Sequence, residues 1–274
     1  MKVVLFCGGL GLRLQPSTEN IPKPLVPVGG KPVLLSLMKY YSYFGHKDFI
    51  LCLGYKGDEI KKYFLNYDEC LSGDFVLSNG DKKHKLFKSD IEDWKITFAE
   101  TGLNSPLGER LRAVRKYLNN EETFLANYSD GLTDMYLPDM IKNFTKQGKI
   151  GSLITVKPAV VFHYVSTNKD GHVKSIRQLN QTPLRINGGF FIFKNEIFEY
   201  INPGEDLVNE PFQRLIKKHE LIAYQYDGFW ASLDTYKDKQ RLDELASKNA
   251  SFWEIWNHHN VSGDKEHAQF QTIL

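Results

Sequence analysis

The stretch "VVLFCGGLGLRL", residues 3–14, decides the fold class. Val3, Val4, Leu5 and Phe6 run without polar alternation into a glycine-rich turn, as a strand does when both its faces are buried in a parallel sheet. Gly8, Gly9 and Gly11 then let the backbone turn with its N–H groups free to face an anion, and Arg13 follows to meet it. Outward from this stretch, strand and helix signals alternate. "VLLSLMKYYSYFG" (33–45) carries apolar residues at helical spacing and stops on glycine, and "DFILCLGYKG" (48–57) reads as a second buried strand. "DEIKKYFLNY" (58–67) is a helix with Asp58 near its start, "DWKITFAETG" (93–102) alternates as a strand, and "LGERLRAVRKYL" (107–118) is an amphipathic helix. "TFLANYSDG" (123–131) is a third apolar strand that ends in an acidic turn. The alternation predicts an α/β fold, a mostly parallel Rossmann-like sheet with helices on both faces. Residues 71–93 are polar and weakly periodic, which predicts a surface excursion or hairpin. No repeat or low-complexity linker divides the chain, so one domain is expected over 1–257, followed by a tail at 258–274.

Bulk composition narrows the function classes. The chain has 274 residues, 25% charged and 42% apolar, which suits a folded soluble protein rather than extended disorder. Its formal net charge is +2 and no long basic block occurs, so neither nucleic acid nor an acidic membrane surface is an expected partner. Cys7, Cys52 and Cys70 are odd in number and lack CxxC spacing, which argues against a disulfide framework or a zinc site and for a reducing cytoplasm. The opening apolar run is too short for a signal peptide, and no stretch approaches the roughly 20 apolar residues of a spanning helix. Adjacent His258 and His259 have no third ligand spaced for them and read as solvated tail residues.

In open α/β sheets ligands sit beyond the carboxyl ends of the strands, so the glycine loop and the "SDGLTD" turn should share one rim. A phosphate-binding loop facing a carboxylate points to a nucleotide with magnesium. Two familiar glycine motifs fail here: a GxGxxG starting at Gly9 and Gly11 meets Leu14, and a P-loop ending at Gly30-Lys31 meets Leu25 and Pro32. Taken alone, Asp130-Gly131 reads first as a turn, and Asp234 reads as an N-cap for the helix starting near Thr235.

"GGLGLRL", "IPKPLVPVGGKPVL", "GYKGDEIKKYF", "INGGFFIF" with "NEPFQRL", and "GFWASLDTYKDKQRL" occur in this order, and together they resemble the sugar-1-phosphate nucleotidylyltransferases, most of all the cytidylyl branch. The likeness runs from about residue 3 to 257 and takes in "WKITFAETG" and "SFWEIWN". It implies a magnesium-dependent transfer of CMP from CTP to a phosphorylated acceptor, glucose 1-phosphate by default, with release of pyrophosphate. It further implies that Gly8, Gly9 and Gly11 cradle the triphosphate, that Arg13 and Lys23 are catalytic through charge, and that Asp130 and Asp234 hold magnesium. Arg110 and the "ETG" turn would face the pyrimidine, and Asn187, Gly188 and Glu210 would contact the acceptor. Relatives often form higher oligomers, so a homo-oligomer fits.

The chain also departs from that pattern. Leu12 stands where relatives carry a hydroxyl, and Ser129 stands where the turn normally reads GDG. The usual Glu-Lys-Pro is replaced by Gln178, Leu179 and Asn180, which removes a lysine that grips the acceptor phosphate. Arg185 is expected to supply the lost charge, or Arg177 in its place, and the acceptor could then be a non-sugar such as phosphoglutamine or a polyol phosphate. A non-catalytic nucleotide-binding protein is the rival from another class, although Arg13, Lys23, Asp130 and Asp234 are all retained.

Overall fold

Val3 and Leu5 pack into one apolar core and Val4 and Phe6 into another, so the first strand is covered on both faces, as its uninterrupted apolar run predicts. The computed structural model describes residues 1–14, 21–67, 75–78, 83–86, 90–119, 121–159 and 162–257. The strands are β1 (Val3–Phe6), β2 (Pro27–Val28), β3 (Lys31–Pro32), β4 (Asp48–Leu53), β5 (Phe75–Ser78), β6 (Lys83–Leu86), β7 (Lys95–Glu100) and β8 (Thr123–Asn127). They continue as β9 (Gly131–Thr133), β10 (Gly151–Val156), β11 (His163–Thr167), β12 (Val173–Gln178), β13 (Ile186–Lys194), β14 (Leu221–Tyr226) and β15 (Trp230–Ser232). The helices are α1 (Val33–Tyr43), α2 (Gly57–Leu65), α3 (Leu107–Val114), α4 (Leu137–Gln147), α5 (Glu210–Lys217) and α6 (Tyr236–Ser247).

Seven strands form the central sheet in the order β14-β10-β13-β8-β1-β4-β7. Its pairs are parallel except where β13 runs against β10 and β8. Residues of α1 and α4 fill the core on one face with Leu34, Met38, Met140 and Phe144. On the other face α3 and α5 contribute Leu111, Val114, Phe212 and Leu215. This is the mostly parallel α/β sheet expected from the alternating pattern.

One local difference has a clear cause. The helix expected over 107–118 ends at Val114 and tightens into a 3-10 turn, Arg115–Tyr117, where Leu118 N–H bonds back to the Arg115 carbonyl at 3.1 Å. Inside the stretch read as an excursion, β5 and β6 pair antiparallel; the remainder up to residue 89 lies outside the described residues, as do Cys70, His258 and His259. Cys7 and Cys52 are buried free thiols on opposite faces of the sheet. Among the described residues no helix is long and apolar enough to cross a membrane.

A third, smaller core positions the functional segments. Leu14, Val26, Leu132, Leu233, Leu242 and Trp253 pack together, which ties the turn carrying Arg13 and the segment carrying Lys23 to β9, β15, α6 and the "SFWEIWN" stretch. Phe229 packs against this core beside Trp253.

Candidate active site

The glycine loop leaves the carboxyl end of β1, and the acidic turn leaves the end of the neighbouring parallel strand β8. Asp130 lies just before β9, whose first residue, Gly131, pairs with Ser232 of β15, and Asp234 follows two residues later. The N–H of Leu233 donates to the Asp130 carbonyl at 3.0 Å, which clips the two acidic segments together. A short ladder thus unites carboxylates that are distant in sequence.

Lys23 lies between them. Its stem leaves a 3-10 turn, Lys23–Leu25, that starts after extended Pro22 and contains Pro24, so neighbouring rings limit the backbone on both sides. The ammonium donates to Asp130 Oδ2 at 2.5 Å and to Asp234 Oδ1 at 2.8 Å. Arg13 Nη2 reaches the same Asp234 oxygen at 3.2 Å while its side chain stays 76% exposed. Ser232 Oγ donates to the other Asp234 oxygen at 2.9 Å. Four residues expected to work together therefore share one cluster.

Their protonation follows from burial and pairing. Burial raises the Asp130 carboxyl above the ordinary range despite the adjacent Lys23. Burial also pushes Asp234 upward, but Lys23, Ser232 and Arg13 outweigh it and leave its carboxyl below the ordinary range. For Lys23, burial opposes the charge, yet the two carboxylates prevail and raise it. Asp234 is not the cap of α6, since Thr235 fills that role in a capping box with Asp238.

These groups face a cleft of about 550 Å³ lined on one side by Gly8, Gly9, Leu10 and Gly11. Ser129, in the position expected for a turn glycine, takes a left-handed φ of 67°. Its Oγ donates to the Phe6 carbonyl at 2.8 Å and its N–H to Asn127 Oδ1 at 3.0 Å, so hydrogen bonds offset a strain of roughly 1 to 3 kcal/mol.

Arg110 is 5% exposed and lies beneath the glycine loop at the cleft floor. Its guanidinium donates to the carbonyls of Leu53, Gly8 and Leu103 and to Thr101 Oγ1, at 2.8 to 3.3 Å. Four donors are thereby committed to the protein, and the residue anchors the loop. A Cβ on Gly8 would fall 2.1 Å from Arg110 Nη1, whereas one on Gly9 would meet nothing within 4 Å. Gly8→Ala is accordingly expected to cost about 1 to 3 kcal/mol of stability, and Gly9→Ala to leave the melting temperature nearly unchanged; parallel thermal unfolding checks both.

The residues expected on the acceptor side lie behind or outside this cleft. Arg185 does not line the cleft: its Nη2 donates to Asp227 at 2.7 Å and its Nη1 to the carbonyls of Thr155 and Tyr226, each at 3.2 Å, because it enters β13 on the side facing β10 and β14. Arg177 is exposed on β12. Glu210 opens α5 with its side chain in solvent and outside the cleft lining. Gly188 has a packing reason, since a Cβ would fall 2.7 Å from Ile154 Cγ2, and its carbonyl accepts from Trp230 Nε1 at 2.9 Å. Asn187 stands one layer back, its amide donating to Tyr128 Oη at 2.9 Å.

The cleft also holds residues that the sequence reading passed over, namely Ser105, Tyr128 and Asp206. Tyr128 adjoins the acidic turn and was open to notice. Asp206, in the irregular stretch "GEDLVNE", had no periodicity or motif to mark it.

Two carboxylates closing on one cation form a donor set that hard magnesium accepts once phosphate oxygens and water complete it. Among the described residues no group of three or more His, Cys, Asp or Glu side chains could hold a metal, so the phosphates would be needed.

Known proteins resemble this chain in sequence and in fold. A Salmonella typhimurium protein named glucose-1-phosphate cytidylyltransferase is 36% identical over 258 residues, covering 93% of this chain and all of its own length. A Bacillus subtilis protein named "Probable glucose-1-phosphate cytidylyltransferase" is 35% identical over 258 residues with the same coverage. Among solved structures, an apo UDP-glucose pyrophosphorylase superposes with a TM-score of 0.67 at 18% identity, covering 91% of this chain and 99% of that one, which speaks for the fold. The nucleotidyl transferase family model matches residues 2–239. With its fold, its glycine loop and its paired carboxylates at one rim, the chain belongs to the nucleotidyl transferase family.

Proposed function

We propose that the protein transfers CMP from CTP to glucose 1-phosphate in the cytoplasm, releasing pyrophosphate. The observation that carries this reading is the Lys23 ammonium held between Asp130 and Asp234 beside the glycine loop. The names of the relatives at 35 and 36% identity support the choice of nucleotide and acceptor.

Backbone N–H groups of the loop at Gly8 to Gly11 bind the triphosphate, where an added side chain would obstruct the approach. An ionised oxygen of the acceptor phosphate attacks the α-phosphorus. The new P–O bond forms as the bond from that phosphorus to the α,β-bridging oxygen breaks, and the electron pair leaves on pyrophosphate. The nucleophile is already anionic at neutral pH, so no protein base is required. Lys23 turns its charge toward the reacting phosphates, and the largely exposed Arg13 is free to leave Asp234 for the departing pyrophosphate. Asp130 and Asp234 would hold magnesium, which supplies charge neutralisation and Lewis acidity at the phosphates.

A second acceptor, a phosphorylated compound other than glucose, is favoured by one observation: Leu179 replaces the expected lysine and Arg185, bound to Asp227, does not compensate in the cleft. Pyrophosphate release measured with each of the four ribonucleoside triphosphates against a panel of sugar, polyol and amide-bearing phosphates decides between them. Turnover with CTP and glucose 1-phosphate is the expected result; release with no pair in the panel refutes the transfer reading.

A further inference from the structure

The hydrogen bonds behind Tyr128 have a fixed direction. A backbone N–H can only donate, so the Asn187 side-chain atom that meets Gly189 N–H at 2.9 Å is the amide oxygen. The amide nitrogen therefore faces Tyr128 and donates to its phenolic oxygen at 2.9 Å. Tyr128 already accepts there, and its own O–H is left to donate. Among the described residues nothing accepts from it. The ring cannot move far: a Cβ on Gly189, which has φ 76°, would fall 2.5 Å from Tyr128 Cδ2, and the Tyr128 N–H bonds to the Gly189 carbonyl at 3.3 Å.

The same cleft is also lined by a complementary group, Asp206. Asp206 Oδ1 accepts the N–H of Val208 at 3.1 Å, which holds the side chain. Among the described residues no cation pairs with this carboxylate. A rigid donor and an acceptor facing one cleft do not suit a phosphate, which the carboxylate would repel and which Lys23 and Arg13 already serve. They suit a group that accepts and donates at once.

We propose that Tyr128 and Asp206 read one hydroxyl of a bound substrate, Tyr128 donating to the hydroxyl oxygen and Asp206 accepting from its O–H. The hydroxyl belongs to a sugar ring, either the acceptor's or the ribose of the nucleotide. This rests on the transfer reading above, and it makes the pair a determinant of specificity, since a site built to hydrogen-bond a hydroxyl rejects the deoxy analogue.

The test compares CTP with its 2′-deoxy and 3′-deoxy forms and glucose 1-phosphate with its monodeoxy forms, in the wild type and in Tyr128→Phe and Asp206→Ala. Wild-type protein is expected to disfavour one deoxy analogue by about 10 to 10² in kcat/KM, the scale for losing a hydrogen bond to a charged group, and the analogue identifies the ring. Each variant should lose at least about tenfold of that preference, with the KM of the hydroxyl-bearing substrate rising and the KM of its co-substrate nearly constant. Calorimetric binding of the same analogues to wild-type protein gives a readout independent of variant folding, with the same analogue binding weakly. Wild-type turnover with no deoxy penalty, or variants that keep the full penalty, overturns the pair and leaves the transfer reading standing. Failure of the transfer reading shows itself separately, as absent pyrophosphate release in the wild type.

Discussion

Lys23→Ala is expected to lower turnover by about 10² to 10³, the scale for removing one preorganised electrostatic contact to a developing charge. The effect should fall on kcat more than on the KM of the triphosphate, because the loop N–H groups that bind ground-state phosphates are untouched. The same substitution should lower stability. It removes the cation that lies 2.5 Å from Asp130 and 2.8 Å from Asp234 and leaves two partly buried carboxylates facing each other. Lys23→Arg keeps the charge and should recover stability more fully than turnover, since the planar fork is longer than the ammonium and aims differently. Steady-state pyrophosphate release together with thermal unfolding separates the two effects. Near-normal turnover in a folded Lys23→Ala protein would remove the residue from the chemistry.

Asp130→Asn and Asp234→Asn should each cut activity by about 10² or more at fixed magnesium and raise the magnesium concentration needed for half-maximal rate, because each takes a charged oxygen from the same position. Their effects on stability should have opposite signs. The Asp130 carboxyl is raised by burial, so its contribution to stability is present below the ordinary carboxylate range and is lost as pH rises through the raised value. Above that raised value its ionised form costs stability, and the asparagine variant should melt no lower than wild type. The Asp234 carboxyl is depressed because Lys23, Ser232 and Arg13 overcome its burial. Its contribution is present above the ordinary range and is lost as pH falls through the depressed value, so Asp234→Asn should lower the melting temperature at pH 7 and do so less in acid. Melting curves of the three proteins at pH 7 and near pH 4 check the signs. Equal losses from both variants would show that the two carboxylates are electrostatically equivalent.

Much of this protein was legible before any tertiary structure. The unbroken apolar run Val3 to Phe6 announced a strand covered on both faces, because a period-2 strand with no polar position has nowhere to meet water. The alternation of such strands with amphipathic helices determined the α/β class, and the glycine loop, Lys23 between prolines and the two acidic turns stood out in the sequence as candidates for one rim. What local chemistry could not decide was which residues share a space. Asp130 and Asp234 meet through the β9 and β15 ladder, a long-range pairing that leaves no trace in the spacing of either segment. Arg110 and Arg185 carry the same guanidinium as Arg13, yet burial under the glycine loop commits one to backbone carbonyls and the Asp227 carboxylate holds the other away from the cleft. Asp206 entered the cleft from an irregular loop with no pattern to reveal it. Residue type and periodicity determined the elements and the chemistry available at this rim; the sheet order and side-chain burial alone decided which charges line the cleft and which are spent on bonds within the protein.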